Sequence, residues 1–240
     1  MAGILGVRRR KVVTRTSILG IGTAVPAYRL EQDDVLRRLR EALSDRPDTA
    51  RWANRIYAHC GVDTRYTCEL NLLEPAERCR YLPSDREVAI PTTAERMETY
   101  RQAAVPLAAD AARQALEDSR LRAGDVTHLI AVSCTGQFLP GLEAELVRRL
   151  DLPFDVQRLP LIFMGCAAGL TAVRLAMDII RHNPEAKVLT VAAELCTLHI
   201  QPSYEREDLF AAAFFGDGAS ACVVGTADRR NAGVFDLRQT

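Results

Sequence analysis

Two short runs constrain this chain more than anything else in it. VTHLIAVSC (126–134) and KVLTVAAEL (187–195) are apolar almost without interruption, whereas a strand with one wet face would alternate. A strand that is apolar on both faces needs helices above and below it, which is the setting of a parallel sheet. The rest of the chain supplies them. Helical pattern is read over 31–43, 49–60, 92–120, 139–150 and 204–215, and further strands over 17–25, 156–163 and 218–226. Pro26 stops the first strand, and Pro106 is expected to kink the long helix or to start its second half. A polar, proline- and arginine-containing stretch occupies 64–91, and GVFDLRQT (233–240) begins one more strand. The predicted class is α/β, a mostly parallel sheet with helices on both faces. Residues 1–16 are read as a flexible basic N-terminus carrying Arg8–Lys11, and 17–240 as one domain.

Charge and cysteine usage narrow the function. Formal net charge is +0, so no global field draws nucleic acid or an anionic membrane. No apolar run approaches the ~18 residues of a membrane span, and the N-terminus lacks the apolar core of a signal peptide. A cytoplasmic chain is expected. Seven cysteines, an odd number with no C-x-x-C pair, argue against a disulfide framework and against a structural zinc site. Most should be small buried hydrophobes.

Cys166 is the candidate exception. In FMGCAAGLTAVRLAMDII (163–180) it opens a helix read from Cys166 to Arg181, whose polar side chains Thr171, Arg174, Asp178 and Arg181 share one narrow stripe. A thiol at a helix N-terminus faces unpaired N–H groups and the positive end of the dipole, which favour the nucleophilic thiolate. Gly165, Ala167, Ala168 and Gly169 leave room around it. Met164 and Ala168 occupy the positions where a G-x-S-x-G elbow needs glycine. Taken alone, the stretch fits equally well a small buried cysteine at a packed strand–helix junction. The helix poses a second problem: it is apolar around most of its circumference, so one sheet is not expected to cover Leu170, Val173, Met177 and Ile180 along with the rest.

MGCAAG (164–169) resembles the nucleophile segment of the type III polyketide synthases, the chalcone- and stilbene-synthase-like enzymes. GVDTRY (61–66), CTGQFLPG (134–141), VAAELCTLHIQP (191–202) and FFGDGASACVVG (214–225) occur in the family's order and at suitable spacing. The resemblance covers roughly residues 17–240. It implies the N-terminal half of a thiolase-like fold, in which Cys166 takes an acyl group from a coenzyme A thioester and the acyl group is extended with decarboxylated malonyl-coenzyme A. Acyl- and malonyl-coenzyme A are then substrates, and no cofactor or metal is implied.

By the same resemblance, Phe215 matches an aromatic gate between the coenzyme A tunnel and the cavity. Cys134, Thr135, Cys196 and His199 match the cavity wall. Leu139 matches a residue that crosses a homodimer interface, and Arg55 a residue that contacts coenzyme A phosphates, with Trp52 and His59 where plant members place lysines. Each also has a plainer reading: a core aromatic closing a helix, packing at strand ends, a helix-start staple, an exposed helix charge. His59, His128, His182 and His199 lie outside the context of the family's catalytic histidine, and neither its asparagine partner nor its Gly-Pro-Gly segment is matched. The chain is therefore expected to be the first of two similar halves, working as a homodimer, with a complementary C-terminal half, or both. A ketoacyl-carrier-protein synthase III-like enzyme and a non-catalytic partner subunit are the alternatives.

Overall fold

A computed structural model describes residues 15–85, 87–203, 205–227 and 235–236. Its central sheet holds β1 (Arg15–Ala24), β4 (His128–Ser133), β5 (Gln157–Ile162), β6 (Val188–Leu195), β7 (Asp217–Ala227) and β8 (Phe235–Asp236), in the order β5-β4-β6-β7-β1-β8. β4 pairs in parallel with both β5 and β6, while β7 runs antiparallel between β6 and β1. β1, β4, β5 and β6 thus point the same way and β7 and β8 oppose them, so the sheet is mixed, with its parallel part at the β5-β4-β6 end. β5 is an edge strand and carries Pro160, which an inner strand would not tolerate. A separate hairpin pairs β2 (Tyr28–Glu31) with β3 (Thr64–Thr67).

One face of the sheet carries most of the core. Here α3 (Thr93–Ser119) packs with α4 (Leu142–Arg149), and the cluster extends to α1 (Gln32–Ala42) and α2 (Pro47–His59). α3 lies unusually close to β1. A Cβ at Gly22 would stand 2.1 Å from the Ala111 carbonyl oxygen, so only glycine fits. α3 also runs through Pro106 as one helix. Ala104, Val105, Ala108, Ala109, Ala111 and Ala112 are buried on both sides of the proline, and that packing holds the helix together despite the missing hydrogen bond. Pro106 therefore does not start a second helix, one of the two outcomes expected of it.

The opposite face is covered, among the described residues, by α5 (Ala168–His182), which buries Ala168, Ala172, Ala176 and Ile180 against Ile130, Val132, Val188 and Val224. The stripe repeats every four residues and is mostly alanine, so the helix sits close to the sheet. Ile180 is buried, Val173 and Met177 are half-buried and Leu170 is exposed. The four are not all covered, but they do not diverge. At three- and four-residue spacing they share one side of the helix, which flanks the buried stripe at Ile180 and faces away from the sheet at Leu170. Of the N-terminal segment, Arg15 and Thr16 already belong to β1, and residues 1–14 lie outside the described residues. No described helix is long and apolar enough to cross a membrane.

Candidate active site

β4, β5 and β6 end side by side, and parallel strands that end together leave a crevice beyond their C-terminal ends. A cavity of about 590 Å³ opens there, lined by Cys134, Cys166, Glu194, Cys196, His199 and Phe215 among others. The wall is mostly apolar, with a few converging polar groups, as a small-molecule site requires.

Cys166 is exposed in this cavity, the only one of the seven free cysteines so exposed. It is not in the first turn of α5. The helix starts at Ala168, and Cys166 occupies the turn before it, closed by the Ala168 N–H donating to the Gly165 carbonyl at 3.0 Å. The chain leaves β5 through two left-handed residues, Phe163 (φ 56°) and Gly165 (φ 70°). Glycine takes that conformation freely, but for Phe163 it costs on the order of 1 kcal/mol. This bend, which apolar periodicity does not reveal, delays the helix by two residues and lifts the thiol clear of it.

The cavity wall is organised by Glu194, near the end of β6. Its carboxylate accepts the backbone N–H of Cys134 at 2.9 Å, the N–H of Thr135 at 3.0 Å and the Thr135 hydroxyl at 2.6 Å. Thr135 Oγ1 in turn accepts the Leu195 N–H at 2.9 Å. The Thr135 carbonyl accepts a hydrogen bond from His199 Nε2 at 2.7 Å. A carbonyl can only accept, so Nε2 is the donor. Sequence reasoning missed Glu194. Its signal was a lone acid inside an apolar strand run, but its partners lie about sixty residues away. Cys196 is half-buried. Burial pushes its thiol up to about 12, with the negative charges of Glu194 and Asp217 adding to the effect, so beside Cys166 it stays a neutral thiol.

Phe215 ends α6 (Arg206–Phe214), and three buried side chains from distant elements cap the helix's last carbonyls. Gln32 Nε2 donates to Ala213 at 2.7 Å, Tyr57 Oη to Ala212 at 3.0 Å and Arg65 Nη1 to Phe215 at 2.9 Å. The backbone of Phe215 is thus anchored where the residue lines the cavity. Asp217, just beyond, is buried and accepts from the Thr197 N–H and hydroxyl, both at 2.8 Å, and from the Cys68 N–H at 2.9 Å.

Two residues singled out from the sequence stand elsewhere. Leu139 is 94% exposed and borders a smaller cavity of about 190 Å³ beside Phe138 and Ile162. Arg55 lies on α2 in a surface groove with Trp52, His59, Phe210 and Phe214. The Arg206 guanidinium lies 4.0 Å from the centre of the Trp52 ring. α6 spans the two sites: Phe214 lines the groove and Phe215 the cavity.

Residues 6–228 match the model of the family described as chalcone and stilbene synthases, N-terminal domain. The chain is 36% identical over 214 residues to type III polyketide synthase 21 of Oryza sativa subsp. japonica, covering 88% of this chain and 54% of the relative. It is 33% identical over 217 residues to phloroglucinol synthase of Pseudomonas fluorescens, covering 90% and 57%. Among solved structures, the C-terminal type III polyketide synthase domain of Steely1 from Dictyostelium superposes with a TM-score of 0.80 at 28% identity, over 90% of this chain and 57% of that one. The 1,3,6,8-tetrahydroxynaphthalene synthase of Streptomyces coelicolor A3(2) does so at 0.77 and 28%, over 92% and 59%. The chain spans a little over half the length of these relatives.

Proposed function

This chain belongs to the chalcone and stilbene synthase family, and from that premise we propose that it carries the acyl-accepting cysteine of a type III polyketide synthase-like acyltransferase. Cys166, as thiolate, attacks the carbonyl of an acyl-coenzyme A. The coenzyme A thiolate leaves, and the acyl group stays on Sγ as a thioester. Malonyl-coenzyme A then loses carbon dioxide, and the resulting enolate attacks the Cys166-bound carbonyl. A carbon–carbon bond forms and Cys166 is released as thiolate. The enolate oxygen needs hydrogen-bond donors aimed at it. In this reading they come from a complementary C-terminal half, which also covers the outer side of α5.

The observation that carries the proposal is the position of Cys166: an exposed thiol in a mostly apolar cavity, at the converging ends of three parallel strands. In the same reading Phe215 separates the cavity from the groove where Arg55 meets the coenzyme A phosphates. Cys134, Thr135, Cys196 and His199 line the growing chain, and the exposed Leu139 meets a second copy across a homodimer interface. Seven free thiols suit the reducing cytoplasm.

The test is intact-mass spectrometry after incubation with acetyl- and hexanoyl-coenzyme A. One acyl adduct, mapping to Cys166 and lost in Cys166→Ala, is expected, with coenzyme A released in equal amount. An adduct on another cysteine, or transfer from an acyl carrier protein but not from coenzyme A, would overturn the reading.

A further inference from the structure

We propose that Cys134 is a positioning residue whose thiol latches the turn presenting Cys166. The proposal rests on the reading of Cys166 as acyl acceptor, but its geometry stands apart from that chemistry. β4 lies between β6 and β5 in the sheet, and Cys134 follows directly on β4. On the β6 side its backbone is fixed: its N–H is shared between the two Glu194 carboxylate oxygens at 2.9 and 3.1 Å. On the β5 side its side chain reaches Gly165, the residue before Cys166. The Cys134 sulfur accepts the Gly165 N–H at 3.1 Å, and its S–H is directed at the Gly165 carbonyl at 3.6 Å. One thiol thus engages both backbone polar groups of that glycine.

The latch sits where the backbone loses its own support. The ladder between β4 and β5 ends with the Phe163 N–H donating to the Ser133 carbonyl at 3.2 Å. Beyond it the chain bends through left-handed Phe163 and Gly165, conformations that persist when surrounding contacts impose them. Gly165 is tied forward to the start of α5 through Ala168 and back to β4 through Cys134. A rotation at Gly165 carries the Cys166 sulfur with it, and a displacement of about 1 Å can cost on the order of 10² in rate. Glu194, Cys134 and Gly165 therefore form a relay from β6 across β4 to the nucleophile. This role is separate from lining the cavity: the sulfur engages the turn, while the residue's bulk, which valine keeps, remains part of the wall.

Two variants separate the hydrogen bond from the volume. Cys134→Val keeps the bulk of the side chain and removes the acceptor. Cys134→Ser keeps an acceptor in a smaller group. Amide exchange followed by NMR should show the Gly165 N–H exchanging about 5–10-fold faster in the valine variant, the worth of one hydrogen bond, with the serine variant close to the parent and melting temperatures unchanged. In acylation kinetics the valine variant should lower the rate constant about tenfold or more while the half-saturating acyl-coenzyme A concentration stays the same. Parent-like Gly165 exchange in the valine variant, or equal loss of protection in both variants, overturns the latch. So does an effect confined to half-saturation, which would mark a binding role. If the parent is not acylated at all, the proposed function falls while the exchange measurement still decides the latch.

Discussion

Leu170→Glu tests whether the outer side of α5 is a contact surface or merely an exposed part of the monomer. Leu170 is 79% exposed, and in the segment leading into α5 Phe163, Met164 and Ile162 are 61%, 50% and 47% exposed. Full burial of such a side chain is worth roughly 1.5–3 kcal/mol, so the uncovered fractions leave about 4–7 kcal/mol of burial unrealised per copy. Association costs at least about 4 kcal/mol. Two copies meeting through this face would therefore gain only a modest net free energy, enough for concentration-dependent association rather than a tight dimer. Leu170 supplies roughly 1–2 kcal/mol of each copy's share. Replacing it with glutamate in both copies should weaken self-association about 10²-fold, each 1.4 kcal/mol being a factor of ten. The folded chain should barely notice, because an unpacked surface position is worth less than about 0.5 kcal/mol and glutamate is as good a helix former as leucine. Light scattering behind size exclusion across a concentration series, with a hydrophobic-dye titration, reads the first effect, and thermal melting reads the second. A melting temperature lowered by several degrees would mean that Leu170 is packed after all. Unchanged association and dye binding would mean that this face is not the contact surface.

Gly22→Ala should lower the melting temperature by several degrees. Its Cβ would meet the Ala111 carbonyl oxygen at 2.1 Å and the Ala115 nitrogen at 2.6 Å, and backbone cannot give way without moving α3 off β1, a cost of about 1–3 kcal/mol or more. At the start of α3, Thr92 and Glu95 form a capping box: the Thr92 N–H donates to Glu95 at 2.7 Å, and the Glu95 N–H donates to Thr92 Oγ1 at 3.3 Å. Hydrogen bonds from the Thr92 backbone and side chain, and from Arg80, hold the Glu95 carboxyl at about 2 against an ordinary 4.5. Its stabilisation is thus complete above pH 4.5 and lost as pH falls from there towards 2; Glu95→Gln should flatten the melting-temperature profile across that window. Limiting iodoacetamide at neutral pH, read by peptide mapping, should label Cys166 first and leave Cys196 and Cys68 silent, since burial and nearby carboxylates raise both thiols. Early labelling of Cys68 or Cys196 would contradict the geometry of the cavity.

The secondary elements were legible wherever one local pattern sufficed. The apolar runs 126–134 and 187–195 became β4 and β6, and the segment following Cys166 became α5, because burial on both faces and a four-residue repeat are written in neighbouring residues. Cys166, Cys134, Thr135, Cys196, His199 and Phe215, named from motifs scattered over eighty residues, line one cavity. Arg55 and Leu139 lie outside it. The strain at Phe163, the role of Glu194 and the cap that Gln32, Tyr57 and Arg65 place on α6 were not legible, since each depends on partners from other strands and helices.

By itself, then, the sequence determined which segments are buried, which are helical and which thiol lies at a strand-to-helix junction, though it placed that thiol in the helix's first turn. Those properties follow from side-chain chemistry within a few residues. The tertiary structure decided three things. β7 enters the sheet antiparallel, although an apolar run carries no direction. α3 stays whole through Pro106 because its alanine face is pinned to β1. Cys166 stands two residues ahead of its helix, held there by hydrogen bonds that reach Gly165 from β4. The reason is the same in each case: a strand's direction, a helix's continuity and a turn's left-handed bend cost or gain little locally, and only contacts between residues far apart in the chain tip the balance.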